Sequence, residues 1–273
     1  MRPPLSSPPA AKALIQTLLL AAEGEAYPSR QLVAAGALFG VSENNIRVAL
    51  VRLQAEGLAE AVGRGSYRLG QAATSLGQAI SAWREVESQV CEWQGHYIGV
   101  HVGGLTRSDR AALARRQRAL HMLGLREVGK GLFVRPDNLQ GGVQQCRTRL
   151  YALGLDRETW VFSLREPCDD LRQQLLHLWD VQALSQSYRD THALLSNWLA
   201  QRESLSPDQA AREAYLIDRP AVRQVVWDPL LPREWIDGTA RSAMFATVRD
   251  FDAAGRSIWW RFFQFSEQAA QPT

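Results

Sequence analysis

The residues best suited to chemistry in this chain lie between residues 42 and 68, and their types are those that contact DNA. Asparagine and arginine can each form two hydrogen bonds with the edge of adenine or guanine, and valine can touch the methyl group of thymine. Arginine and serine also suit contacts with phosphate. We therefore predict DNA contacts from eight positions, namely Ser42, Asn44, Asn45, Arg47, Val48, Arg52, Arg64 and Arg68.

Two helices joined by a tight turn are predicted to position the first six of these residues. Ser29 is expected to cap the first helix, which runs from about Arg30 to Leu38. Gly40 lies in the turn, where a positive φ favours glycine, and Ser42 is expected to cap the second helix. The apolar residues of the second helix recur at helical spacing and predict one buried face: Ile46, Ala49, Leu50 and Leu53.

A short β-hairpin is predicted after the second helix. Residues 58–62 and 66–69 flank Gly63-Arg64-Gly65, so the tip carries one arginine between two glycines. The order of helix, turn, helix and hairpin is typical of a winged helix-turn-helix domain, whose second helix enters the DNA major groove. Arg64 would then contact a phosphate or the minor groove. The alternative is that the helices only pack a core and that the hairpin is an ordinary surface turn.

Length and composition predict a soluble cytoplasmic protein of more than one domain. The chain has 273 residues, of which 46% are hydrophobic and 22% charged, and its net charge is +3. We find no apolar run of the ~18 residues that would cross a membrane. The three cysteines are odd in number and far apart in the chain, which favours neither a disulfide framework nor a zinc site.

The predicted fold class is α+β, with three folded blocks in chain order. A flexible arm over 1–9 precedes the winged helix-turn-helix domain over 10–70, and a helical linker follows over 71–89. Residues 90–167 predict the strand and helix order β-α-β-β-α-β of a ferredoxin-like domain. Residues 168–273 predict a mainly helical C-terminal domain that is a candidate for effector binding or dimerisation.

Three stretches of the chain resemble one protein family. They are GALFGVSENNIRVALVRLQAEGLAE, the following GRGSYRLG, and WDPLLPREWIDGTAR near residue 235. They resemble the PaaX-like family, the repressors of bacterial phenylacetic acid catabolism. This resemblance implies a homodimeric transcriptional repressor that binds a partly palindromic operator in double-stranded DNA. It also implies release by an aryl-CoA thioester, phenylacetyl-CoA in the best-known members, and no other cofactor.

The implied effector makes the cations and aromatic rings of the C-terminal block candidate ligand contacts. A coenzyme A thioester needs cations for its phosphates and an apolar, aromatic-lined slot for its acyl group. Seven residues could supply them: Tyr188, Arg189, Trp198, Arg219, Trp227, Trp235 and Arg241. The alternative is that the rings fill a helical core and that the arginines cap helices or pair with nearby aspartates.

Enzymatic motifs are absent from the sequence, so we predict a protein that is not an enzyme and that has no metal site. There is no phosphate-binding glycine-rich loop, no metalloprotease His pair and no nucleophile elbow. His96 and His101 are predicted to share one strand at an odd separation, so they would point to opposite faces.

Three rival functions remain open at this point. One is a regulator with a different effector, and another is a protein that binds DNA without any ligand. The third is an enzyme that keeps a DNA-binding domain, for example a metal-dependent nuclease, because the ferredoxin-like module is similar in fold to the small nuclease of CRISPR adaptation. Such a nuclease would need a carboxylate where the first strand of the middle block ends, and no Asp or Glu follows His101 before Asp109.

Overall fold

The computed structural model describes residues 9–22, 24–73, 82–105 and 108–269. Helices alternate with strands that form two small antiparallel sheets, which confirms the predicted mixture of helix and sheet. Most of the predicted N-terminal arm and residues 74–81 of the predicted linker lie outside the described residues. Within the described ranges, no helix combines the length and the apolar character needed to cross a membrane.

The chain divides into two compact units. The first unit comprises the described residues up to Trp83, Leu194–Ala221 and those from Thr247 onward, and the second comprises Arg84–Ala193 and Val222–Ala246. The residues from 168 onward, predicted as one helical domain, therefore contribute to both units.

Among the described residues up to Leu69, the first unit contains three helices and a three-stranded sheet. The helices are α1 (Ala11–Ala21), α2 (Ser29–Ala37) and α3 (Glu43–Ala55). The strands are β1 (Tyr27–Pro28), β2 (Ala59–Val62) and β3 (Ser66–Leu69), in the order β1-β3-β2, all antiparallel.

Local sequence explains the connection between α2 and α3. Gly40 adopts a φ of 69°, a left-handed conformation that suits glycine, and the Ser42 side chain caps α3. A Cβ on Gly36 would lie 2.8 Å from the Ile46 side chain, so the absence of a side chain at this position lets α2 and α3 pack closely.

The C-terminal helices complete the core of the first unit. They are α7 (Val181–Gln201), α8 (Pro207–Val226) and α9 (Gly238–Ala269), each of which contributes residues to both units. Buried side chains of α8 and α9 join those of α1 to α3 in one apolar cluster, including Tyr215, Trp259, Phe262 and Phe263. The Tyr215 ring lies 5.0 Å from the Phe39 ring at the end of α2. The C-terminal helices therefore form part of the core beneath α2 and α3.

The second unit is built on a four-stranded antiparallel sheet in the order β5-β6-β4-β7. Its elements follow one another as β4 (Tyr97–His101), α4 (Arg110–Met122), β5 (Arg126–Gly129), β6 (Leu132–Pro136), α5 (Gly142–Ala152), β7 (Trp160–Leu164) and α6 (Asp169–Leu176). Buried residues of α4 and α5 cluster with those of one sheet face, whereas Leu175 of α6 clusters with Tyr97 and Val134.

The prediction that His96 and His101 share one strand is wrong. β4 begins at Tyr97, so His96 precedes it. A turn at Gly95, with a φ of 78°, comes before this strand, and the His96 carbonyl accepts a hydrogen bond of 2.6 Å from the Trp93 indole. The positive φ of Gly95 interrupts the extended chain at the point where the prediction continued the strand.

Candidate nucleic-acid interface

One face of α3 is buried and the opposite face is open to solvent. Ile46, Leu50 and Leu53 are at most 2% exposed and anchor the helix to the core of the first unit. Because an α-helix turns about 100° per residue, Asn44, Val48 and Val51 lie opposite this anchor. All eight predicted DNA-contacting residues are exposed: Ser42, Asn44, Asn45, Arg47, Val48, Arg52, Arg64 and Arg68.

Two polar side chains at the start of α3 form contacts within the helix itself. The Ser42 hydroxyl accepts a hydrogen bond of 3.3 Å from the Asn45 backbone N–H, which caps the helix. Arg47 forms an ion pair with Glu43 one turn earlier, and both side chains are more than half exposed. An exposed pair of this kind contributes little to stability. Arg47 can therefore leave Glu43 and bind a more highly charged anion with little loss of free energy.

The hairpin after α3 presents Arg64 at its tip. Gly63 and Gly65 adopt φ values of 66° and 78°, which a residue with a Cβ rarely takes, and so they shape the turn around Arg64. Arg68 differs, because it lies opposite Glu60 on the neighbouring strand and donates a hydrogen bond of 3.0 Å to it. This hydrogen bond raises the pKa of Arg68.

A cleft of about 570 Å³ opens beside α3 and the beginning of α1. Its polar wall includes Lys12, Asn45 and Arg52, and its apolar wall includes Phe39 and Val48. Lys12 is paired with Glu56 at 2.6 Å, whereas Arg52 has no ion pair within the described part of the chain. Lys12 could not be selected from the sequence, because its position beside α3 depends on how α1 packs.

Two of the seven effector candidates line a second open cleft, of about 550 Å³, in the second unit. Arg189 and Trp235 face this cleft, together with Ser185, Gln186 and Asp237. Arg189 donates hydrogen bonds of 2.9 Å to both Asp237 and Gln186. The backbone N–H of Ala240 at the start of α9 is the main cause of the lowered pKa of Asp237. The cleft is thus lined by an indole and a guanidinium.

Tyr188 and Arg241 are buried and hold a neighbouring loop. The Tyr188 hydroxyl donates a hydrogen bond of 2.6 Å to Asp228, and Asp228 also accepts one of 2.8 Å from the Leu230 backbone N–H. Arg241 donates a hydrogen bond of 2.7 Å to the Leu231 carbonyl. Burial raises the pKa of Asp228. Both side chains are fully buried, and neither is among the residues that line the cleft.

The seven candidates are divided between the two units. Trp198 belongs to the first unit, where its indole donates a hydrogen bond of 2.8 Å to Glu213 and its ring lies 4.9 Å from Phe251. Arg219 is exposed on α8 in the same unit. Trp227 follows the end of α8, is half-buried and belongs to the second unit. This division arises because α7 and α8 each run through both units.

Sequence reasoning also missed a buried cation and its amide partner in the second unit. Arg135 is 1% exposed and donates a hydrogen bond of 3.0 Å to Asn138, which in turn donates one of 2.8 Å to the Leu230 carbonyl. Burial lowers the pKa of Arg135 to about 10. No sequence signal distinguishes this arginine from the exposed ones nearby. Among the described residues, no group of three His, Cys, Asp or Glu side chains could hold a metal ion.

Comparison with known families accounts for more than half of the chain. Residues 10–73 match the model described as PaaX-like protein, and residues 179–261 match the model described as PaaX-like protein C-terminal domain. The chain belongs to the PaaX-like family. The first match contains α1 to α3 and the hairpin, and the second contains α7, α8 and most of α9.

A solved structure supports the fold of this PaaX-like chain. It is the uncharacterized protein Rv0674 from Mycobacterium tuberculosis, which is similar with a TM-score of 0.63 and 21% sequence identity. The alignment covers 93% of this chain and 98% of the other. At this identity the likeness concerns the fold alone. A search of the curated proteins found no match.

Proposed function

We propose that this PaaX-like chain is a cytoplasmic transcriptional repressor whose first unit binds DNA as a winged helix-turn-helix domain. The observation that carries this proposal is the solvent face of α3, where asparagines, valines and arginines are exposed together. These are the residue types that contact base edges and phosphates in the major groove. Family membership supports the same assignment.

In the proposed complex, α3 lies in the major groove and the hairpin acts as the wing. Asn44, Asn45, Arg47 and Arg52 contact bases or phosphates, and Arg64 contacts a phosphate or the minor groove. Two protomers form a homodimer that reads half-sites separated by one helical turn of DNA or a multiple of it. The sheet order β5-β6-β4-β7 supports a ferredoxin-like module in the second unit, which acts in dimerisation or as a relay and not as a nuclease.

DNA binding is tested by titrating the protein against a site selected from a random duplex library. Replacing Arg64 by Ala should weaken binding to all sequences and make the slope of log K against log salt shallower by about 1. Asn45→Ala should instead relax the preference at one base pair, at a cost of about 1–3 kcal/mol against the preferred site. Fluorescence anisotropy at several salt concentrations separates the two effects.

The control for both variants is Arg212→Ala, which removes an exposed arginine of α8. It should bind every duplex like the parent protein. If Arg64→Ala and Asn45→Ala also matched the parent on every duplex, the proposed docking of α3 and the wing would be wrong.

The proposed effector is an aryl-CoA thioester such as phenylacetyl-CoA, and the cleft with Arg189 and Trp235 is its proposed contact. A guanidinium suits a phosphate or a thioester carbonyl, and an indole face suits an aryl ring. The ligand would release DNA by binding more tightly to a protomer arrangement that misplaces the two α3 helices. In this proposal the protein acts by binding and catalyses no reaction.

Thermal melting tests the effector class. A ligand that binds only the folded state raises the melting temperature by mass action. Phenylacetyl-CoA should raise it, whereas coenzyme A and phenylacetate should not, and Arg189→Ala should reduce the shift. The control is Arg223→Ala, an exposed arginine of the same unit outside the cleft. If no thioester shifted the melting temperature, the effector proposal would fail while the DNA-binding proposal would stand.

A further inference from the structure

The middle of the exposed face of α3 is apolar. Val48 is 42% exposed and Val51 is 65% exposed, although both lie on a helix whose other solvent-facing residues are mostly polar. Ala55 follows one turn after Val51 and is also exposed. Valine is a poorer helix former than alanine, lysine or glutamate, so neither helix stability nor solubility explains two valines here. Among the described residues, their exposure leaves an apolar strip along this face of α3.

Polar and cationic side chains flank these valines on both sides. At about 100° per residue, Arg52 and Asn45 lie on one side of the Val48–Val51 strip and Arg47 lies on the other. Arg52 is unpaired within the described residues, and Arg47 is paired only with the exposed Glu43. An apolar strip between cations matches the major groove, where thymine methyl groups lie on the floor and phosphates line both edges.

We infer that Val48 and Val51 are specificity-determining residues that read the C5-methyl groups of thymines. The inference rests on the proposed DNA-binding function and adds the base that the strip recognises. Residues three apart on a helix are separated by about 4.5 Å along its axis, which exceeds one base step of about 3.4 Å only slightly. The two methyl groups therefore belong to neighbouring base pairs of each half-site.

Replacement of thymine by deoxyuridine tests this inference directly, because it removes the methyl group and leaves the hydrogen-bonding edge unchanged. The probe is the duplex selected from the random library, with each thymine replaced in turn. The parent protein should bind about fourfold more weakly at two neighbouring positions, the effect of one buried methyl group each. Dissociation constants are measured by fluorescence anisotropy at one salt concentration.

Matched variants separate a contact with the protein from an effect on the DNA itself. Val48→Ala and Val51→Ala should each lose the discrimination between thymine and uracil at one position, and the double variant at both. Alanine favours the helix more than valine, so these variants retain α3. Leu194→Ala, which shortens an apolar side chain that is 37% exposed on α7, outside the proposed interface, should discriminate like the parent.

The outcomes distinguish this inference from the function on which it rests. If one sequence is bound specifically but thymine and uracil are bound equally, the valines do not read methyl groups and only the inference is overturned. The same holds if the double variant discriminates as well as the parent. If no sequence is selected from the library, the proposed DNA-binding function itself fails, and the inference fails with it.

Discussion

Replacing Phe262 by alanine is expected to lower the free energy of unfolding by about 3–5 kcal/mol. Phe262 is 3% exposed and packs with Trp259 and Phe263 in the same apolar cluster as Ile46 and Leu53 of α3. Its removal would leave a cavity beneath the proposed DNA-binding helices, more than 200 residues away in the sequence. DNA binding should then be lost at temperatures at which the parent protein still binds.

Trp260 provides the control for this experiment, since it is the aromatic residue two positions earlier and is 67% exposed. Trp260→Ala should change the free energy of unfolding by less than about 0.5 kcal/mol, as is usual for exposed positions. Urea unfolding followed by circular dichroism gives both values, and anisotropy gives DNA affinity over the same temperature range. Equal stability of the two variants would show that the end of α9 is not part of this core.

Replacing Asp228 by alanine is expected to lower the free energy of unfolding by on the order of 3 kcal/mol at acidic pH. Asp228 is 4% exposed and accepts hydrogen bonds from the Tyr188 hydroxyl and the Leu230 backbone N–H. The substitution would leave both donors buried without an acceptor. Leu230 adopts a φ of 48°, which costs free energy for a residue with a Cβ, and its N–H bond to Asp228 supports that conformation.

The loss caused by Asp228→Ala should depend on pH in a defined direction. Because burial raises the pKa of Asp228, the folded state holds this proton more tightly than the unfolded state does. The stability gained from the carboxyl is fully present below its unfolded pKa of about 3.9 and declines as the pH rises through the folded pKa. The difference between parent and variant should therefore be larger near pH 4 than near pH 7.

Urea midpoints at the two pH values measure this difference. Asp190→Ala is the control, because Asp190 is exposed and accepts one hydrogen bond from Gln186. It should change the free energy of unfolding by less than about 0.5 kcal/mol at either pH. If Asp228→Ala were as stable as this control, the buried hydrogen bonds would not hold the loop after α8.

The α3 face and the hairpin turn could be predicted from the sequence because the interactions that form them are local. The spacing of Ile46, Leu50 and Leu53 places them on one side of a helix whatever the helix packs against. Gly40 and Gly63 take positive φ values at the turns where their residue type favours that conformation. The exposure of the five candidates on α3, namely Asn44, Asn45, Arg47, Val48 and Arg52, follows from the same periodicity.

The membership of the candidate effector site could not be predicted in the same way. Trp198 and Trp235 are both aromatic and both near helix ends in the sequence, but they belong to different units. Arg241 and Arg189 are both arginines, but one is buried against the Leu231 carbonyl and the other lines an open cleft. Residue type alone does not distinguish these cases.

By itself the sequence determined α2 and α3, the turn between them, the hairpin turn and the exposed face of α3, since each depends on residues only a few positions apart. Only the tertiary structure decided that α8 and α9 complete the core of the first unit, that Arg135 and Arg241 are buried, and that Arg189 and Trp235 share a cleft. The physical reason is that these side chains are buried by elements distant in the sequence, so their burial depends on which elements pack against each other. A helical repeat specifies which face is apolar, and it does not specify the partner that covers it.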